Sequence, residues 1–258
     1  MIKLNKKKSI SVFLTCGYPN MAITEKLICL LDRRGVDFIE LGVPFSDPIA
    51  DGPTIQYSSN IALSKNKVNL DKIFSMVKSV RRKTQIPLIL MSYYNPVLKY
   101  GIKKFMAESK HLGINGLIIP DIIPEEGKQV EKLAKQSGIS LIYLLAPTTT
   151  PSRRKIIYSH SSGFIYIVSV TGVTGVRSSY NPALKSFLSQ IRKETKLPLI
   201  LGFGISEPKQ ARMYSKYVNG FIIGSAVINI IRNTKNYSKL ENKLSEFIGG
   251  FTDAGKKI

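Results

Sequence analysis

Scarcity is the most informative property of this 258-residue chain. It has no tryptophan, so its own emission rests on tyrosine. Its two cysteines, Cys16 and Cys29, offer neither a disulfide framework nor a metal-ligand spacing, which fits a reducing compartment. With only His111 and His160, a histidine triad or a histidine zinc site has almost nothing to use. Acids are few as well, 17 against 38 Lys and Arg, for a net charge of +21. Such a balance brings nucleic acid, an anionic membrane or a phosphorylated small molecule to mind. The basic residues, however, fall in short, distant runs: Lys6-Lys7-Lys8, Arg81-Arg82-Lys83, Arg153-Arg154-Lys155 and Lys256-Lys257. Solvated faces and helix ends account for such runs better than a nucleic-acid stripe does. No apolar run approaches the ~18 residues of a membrane span. Ile10 to Leu14, behind a basic start, is shorter than the ~7–15 residues of a signal core and reads as a first strand.

What is present is a rhythm. Eight short apolar runs recur, at Ile10–Thr15, Asp37–Gly42, Leu88–Ser92, Gly116–Ile119, Ser140–Leu145, Phe164–Ser169, Leu199–Phe203 and Gly220–Ile223. Each is nearly continuous rather than alternating, as strands buried on both faces of a parallel sheet are. Helical periodicity fills the intervals, with explicit boundaries. Asn20 caps a helix through Leu31 and Gly35 ends it. Ile86-Pro87 and Leu197-Pro198 stop helices over Leu70–Thr84 and Ala183–Thr195. Pro124-Glu125-Glu126 reads as a helix start with Gly138 as its end, which makes that acid pair helix-terminal electrostatics. Eight strand–helix units without a linker predict one α/β domain over residues 1–258, a single (β/α)₈ TIM barrel, with a doubly wound open sheet as the alternative. Residues 1–8 read as a short basic extension.

A barrel places function on the loops after its strands, and the candidate residues lie there. Glu40 sits inside an apolar strand, where an ionisable group is costly unless paired or used. A salt bridge to a neighbouring strand is one reading and a functional carboxylate the other; residues 35–64 contain no Lys or Arg. Asp47 and Asp51 follow in a loop rich in Pro and Gly, where turn chemistry is the plain explanation. A barrel would nevertheless bring Asp51 over the mouth where Glu40 points, giving a buried carboxylate and an exposed one. Glycine-rich loops follow the last strands: Thr171-Gly172-Val173-Thr174-Gly175, Gly202-Phe203-Gly204 and Gly224-Ser225. Backbone amides at such loops suit a phosphate, although the segments match neither a Walker loop nor a dinucleotide fingerprint. The stretch from Val170 to Pro182 reads as a lid. Tyr166 could be core or could project into the pocket.

The run Ile39-Glu40-Leu41-Gly42-Val43-Pro44-Phe45-Ser46-Asp47-Pro48-Ile49-Ala50-Asp51-Gly52-Pro53-Thr54-Ile55-Gln56 resembles the signature of the tryptophan synthase α subunit family. Phe13-Leu14-Thr15, Tyr93-Tyr94-Asn95-Pro96-Val97, Pro120-Asp121, Gly172-Val173-Thr174-Gly175, Gly202-Phe203-Gly204-Ile205 and Gly224-Ser225-Ala226 extend the resemblance to most of the chain. It implies a (β/α)₈ barrel and a carbon–carbon lyase, cleaving indole-3-glycerol phosphate to indole and glyceraldehyde 3-phosphate. Glu40 would be the general acid/base and Asp51 the carboxylate facing the indole N–H. Tyr166 would line the pocket near the glycerol, with Phe13, Ile55, Tyr93, Thr174 and Phe203 around the substrate. Gly175, Gly202, Gly204, Gly224 and Ser225 would bind the phosphate. No cofactor or metal is implied on this chain. The resemblance implies instead a β subunit that carries pyridoxal phosphate and meets the α chain in an α2β2 tetramer through loops after strands two and three, where Asp47 and Asn95 lie. Nucleic acid and membrane drop out as partners. A barrel that only activates β is the alternative, and the presence of both carboxylates argues against it. The expected location is the cytoplasm, or a plastid stroma if the chain is organelle-encoded. Three departures stand out. Family members commonly carry an amphipathic helix before strand one; here only residues 1–8 are available to cover the barrel bottom. Tyr18 replaces a frequent Asp, and Val170 an Arg found in some members.

Overall fold

The computed structural model describes residues 1–2, 4, 8–168, 182–202 and 204–256, with side chains as far as 252. Its strands are β1 (Ser9–Thr15), β2 (Phe38–Gly42), β3 (Leu88–Met91), β4 (Gly116–Ile118), β5 (Ser140–Ile142), β6 (Leu144–Leu145), β7 (Ile165–Val168), β8 (Leu199–Gly202) and β9 (Gly220–Ile223). Every pairing between them is parallel. β1 lies between β2 and β9, so the first and last strands are neighbours and the sheet curls round as a barrel rather than opening as a doubly wound sheet.

The fifth predicted strand is two. β5 pairs with β4 and β6 with β7, and Tyr143 stands at the break. Its carbonyl accepts the Tyr166 N–H at 3.2 Å, and the ring of strands is joined there. Interrupting one strand lets the chain turn the corner of the barrel, a demand that no local apolar pattern records.

The helices are α1 (Met21–Arg33), α2 (Pro53–Ser64), α3 (Leu70–Arg81), α4 (Tyr94–Tyr100), α5 (Ile102–His111), α6 (Lys128–Ser137), α7 (Pro151–His160), α8 (Pro182–Glu194), α9 (Pro208–Tyr214), α10 (Ser225–Arg232) and α11 (Tyr237–Lys256). The Asn20 side chain accepts the Ile23 N–H at 2.9 Å and caps α1, as its sequence predicts. Gly35 and Gly138, at φ +77° and +69°, take the left-handed turns that close α1 and α6. α3 stops three residues before Thr84, whose hydroxyl instead accepts the Ile86 N–H.

Three expectations need correcting. α6 starts at Lys128, not at Pro124, because residues 124–127 are spent in a turn and Gly127 N–H bonds back to Ile123. Glu125 therefore lies outside the first helical turn and pairs with Arg153. The basic runs are not wholly solvated either. Arg81 donates to the carbonyls of Leu112, Gly113 and Ile86, tying α3 to the loop after α5. Arg154 is buried and grips both oxygens of Glu194, joining α7 to α8. At the barrel bottom, Ile2 is buried, its N–H bonds Ser140 Oγ at 3.2 Å, and its side chain fills the space a Cβ on Gly163 would need. The start of the chain is thus docked, and Ile2 supplies part of the cover.

Candidate active site

Glu40 is fixed by the middle of β2, in register with Phe13 on β1 and Ile89 on β3. Neither neighbour is cationic, and the side chain is completely buried. Among the described residues no ion pair reaches it, and neither carboxylate oxygen has a hydrogen bond of normal geometry. The salt-bridge reading is thereby excluded for those residues. Burial, reinforced by the negative charge of Asp51, pushes Glu40 up from 4.5 to about 8; the nearby Tyr166 hydroxyl opposes the shift only in part.

Two glycines shape the barrel mouth. A Cβ on Gly42, at the end of β2, would collide with the Phe13 ring, and one on Gly202, at the end of β8, with the Tyr166 ring and hydroxyl. Each glycine is a notch into which an aromatic side chain of an adjacent strand leans. Tyr166 is accordingly buried in the core, next to Glu40.

Asp51 lies near the end of the 44–52 loop, one residue before the Gly52 N-cap of α2, whose first helical residue is Pro53. It is half-buried; burial lifts it to about 6, and the Tyr93 hydroxyl favours its ionised form. Asp47, by contrast, is exposed and does turn chemistry, accepting the Ser46 hydroxyl at 2.5 Å and the Ile49 N–H at its carbonyl. A small open cleft brings Phe13, Asp51, Ile55 and Tyr93 together. It also takes in Val43, Ser59 and Met91, which the sequence reading passed over. Ser59 was within reach, being one helical turn beyond Ile55 on the same face of α2.

Gly202 ends β8, Gly204 follows it at φ +77°, and Gly224 precedes Ser225, the first residue of α10. Gly224 lies beside Phe13, which places the β9 end next to the cleft. The first amides of α10 are free of helical partners and carry the positive end of its dipole. Thr174, Gly175 and Phe203 lie outside the described residues, as does most of the expected lid. Among the described residues no group of three His, Cys, Asp or Glu side chains could hold a metal. No described helix is long and apolar enough to cross a membrane.

A family profile for the tryptophan synthase alpha chain matches residues 1–256. The tryptophan synthase alpha chain of Geotalea daltonii is 46% identical over 246 residues, covering 95% of this chain and 92% of that one. Among solved structures, a chain of the tryptophan synthase α2β2 complex from the hyperthermophile Pyrococcus furiosus superposes with a TM-score of 0.89 at 34% identity, covering 96% of this chain and 99% of that one. The alpha chain from Legionella pneumophila gives 0.87 at 33% identity, covering 98% and 93%. With a buried carboxylate at the mouth of a parallel barrel and this likeness along nearly its whole length, the chain belongs to the tryptophan synthase alpha chain family, lyases that act on indole-3-glycerol phosphate in tryptophan biosynthesis.

Proposed function

We propose that Glu40 carries the proton and Asp51 the counter-charge for cleavage of indole-3-glycerol phosphate in this cleft. The observation that carries the reading is Glu40 itself: fully buried, unpaired among the described residues, and pushed up to about 8. Such a group is about 90% protonated at pH 7. It can therefore give its proton to indole C3, leaving positive charge on the ring. Asp51, at about 6, is mostly ionised at that pH, and by accepting the indole N–H it opposes that charge. The Glu40 carboxylate then removes the proton from the hydroxyl on the carbon bonded to C3. The C–C bond breaks, its electron pair returns to the ring, and the hydroxyl carbon becomes the aldehyde of glyceraldehyde 3-phosphate. Glu40 ends protonated as it began, so the reaction needs no outside acid or base.

Around these two, Phe13, Ile55 and Tyr93 contact the indole and Tyr166 the glycerol chain, while Gly202, Gly204, Gly224 and Ser225 offer amides to the phosphate beside the α10 N-terminus. Thr174, Gly175 and Phe203 join them on the strength of the family resemblance. The protein works as one domain in an α2β2 assembly, as the Pyrococcus furiosus complex does, with pyridoxal phosphate on the β subunit and none on this chain. Ile49 and Leu98, 84% and 51% exposed beyond β2 and β3, give that face apolar surface. The reaction takes place where the chain is made, a bacterial cytoplasm or a plastid stroma.

Glu40→Gln is expected to abolish indole release while an indole-phosphate analogue still binds within a few-fold of the parent affinity. The analogue's emission can be followed directly, since the chain contributes only tyrosine. Substantial residual turnover would remove Glu40 from its role.

A further inference from the structure

The 44–52 loop carries Asp51, yet little holds it to the rest of the barrel. Its backbone hydrogen bonds are local: Ile49 N–H to Asp47, Asp51 N–H to Pro48, and the Gln56 amide back to the Asp51 carbonyl. Among the described residues one hydrogen bond crosses from residues 44–52 to another strand's loop. The Ala50 N–H donates to the Tyr93 hydroxyl at 2.9 Å. The same hydroxyl shares the cleft lining with Asp51 and favours its ionised form. By holding the amide of the residue just before Asp51, it fixes the loop backbone that carries that side chain.

Tyr93 is itself well held. It is buried, it stands two residues beyond β3, and its ring packs against Phe45 of the same 44–52 loop with centroids 5.2 Å apart. The next N–H, of Tyr94, donates to Asp121 Oδ1 at 2.9 Å in the loop after β4. Three successive strand-end loops are thus joined in a row, and Tyr93 is the middle link.

We propose that Tyr93 is a positioning residue for the cleavage reaction: by holding the Ala50 amide its hydroxyl braces the 44–52 loop and so keeps the Asp51 carboxylate at the cleft. This goes beyond contact with substrate and rests on Asp51 having the role proposed above. The titratable groups facing Asp51 among the described residues are Glu40 of β2, Tyr93 itself and Tyr166 of β7; Asp121 faces Tyr93 from the loop after β4. Of these, Tyr93 alone favours the ionised carboxylate.

Tyr93→Phe tests the brace, since it keeps the ring and the Phe45 contact and removes only the hydroxyl. The kcat for indole release is expected to fall about 10- to 100-fold, the cost of a misplaced group that makes no bond to the reacting atoms. The Asp51 carboxyl, followed by NMR in protein labelled with ¹³C-aspartate and assigned with Asp51→Asn, is expected to titrate at higher pH than in the parent. A loss of packing alone would not move that titration. An unchanged Asp51 titration, or an unchanged kcat, overturns the proposal even if Tyr93→Phe unfolds more easily. Asp51→Asn separates this failure from that of the underlying reading. If it still releases indole at the parent rate, Asp51 has been misassigned; if it is inactive while Tyr93→Phe is normal, only the brace is wrong.

Discussion

Glu40→Gln should stabilise the protein as it inactivates it, and the gain should grow with pH. In the unfolded chain the carboxyl titrates at 4.5, and in the fold at about 8. The folded value lies above the unfolded one, so the folded state holds the proton more tightly. The stability this gives is fully present below about pH 4.5 and is lost as pH rises through about 8. Linkage with these two values sets the loss at about 1 kcal/mol at pH 5 and about 3 kcal/mol at pH 7. Glutamine has nearly the same shape, cannot ionise and escapes the loss. For a chain of this length, about 3 kcal/mol corresponds to a Tm higher by about 6–12 °C at pH 7, against about 2–4 °C at pH 5. Thermal and urea unfolding of both proteins at the two pH values, read by circular dichroism, measures the difference. The same offset at pH 5 and pH 7, or a variant less stable than the parent at pH 7, would refute the claim that Glu40 is buried without a cationic partner.

The pH profile of kcat/KM for indole release should be bell-shaped, rising through about 6 as Asp51 ionises and falling through about 8 as Glu40 loses its proton, the two limbs belonging to the interacting pair. A profile flat from pH 5.5 to 9 would contradict that division of labour. Gly202→Ala should cost about 1–3 kcal/mol in urea denaturation, because its methyl needs the space of the Tyr166 ring. Displacing that ring beside Glu40 should also lower kcat at least tenfold, and parent-like values of both would show that the notch is not needed.

The parts of the fold written locally were legible. Asn20 caps α1 and Gly138 closes α6, each through groups within a turn of the residue that signals them. Pro124 misled for a related reason. Proline suits a helix start and a turn alike, and which one forms was decided by Glu125 reaching Arg153 and by Gly127 lying against the Tyr143 hydroxyl. The basic runs misled because charge in a sequence does not say where a side chain ends. Arg81 finds the carbonyls of Leu112 and Gly113, 31 and 32 residues away, and Arg154 a carboxylate 40 residues away. In the site, Glu40 was conspicuous as a carboxylate in an apolar strand, whereas Tyr93 was legible only as a pocket residue; its bond to Ala50 joins positions 43 residues apart.

Taken alone, the sequence determined that parallel strands alternate with helices, that one carboxylate is buried among them, and which family the signature around it resembles. Apolar periodicity, caps and an out-of-place acid are all readable within one element. The tertiary structure decided how the ring of strands joins, through the break at Tyr143, and that no cation among the described residues reaches Glu40. It also decided that Gly42 and Gly202 are notches for Phe13 and Tyr166. These outcomes depend on which side chains the barrel brings face to face across dozens of residues, and an acid becomes a proton carrier only when that surrounding is known. The shortage of acids takes its meaning from the same place: in a chain so rich in cations, the fold keeps those described away from Glu40, the one carboxylate buried completely among the described residues.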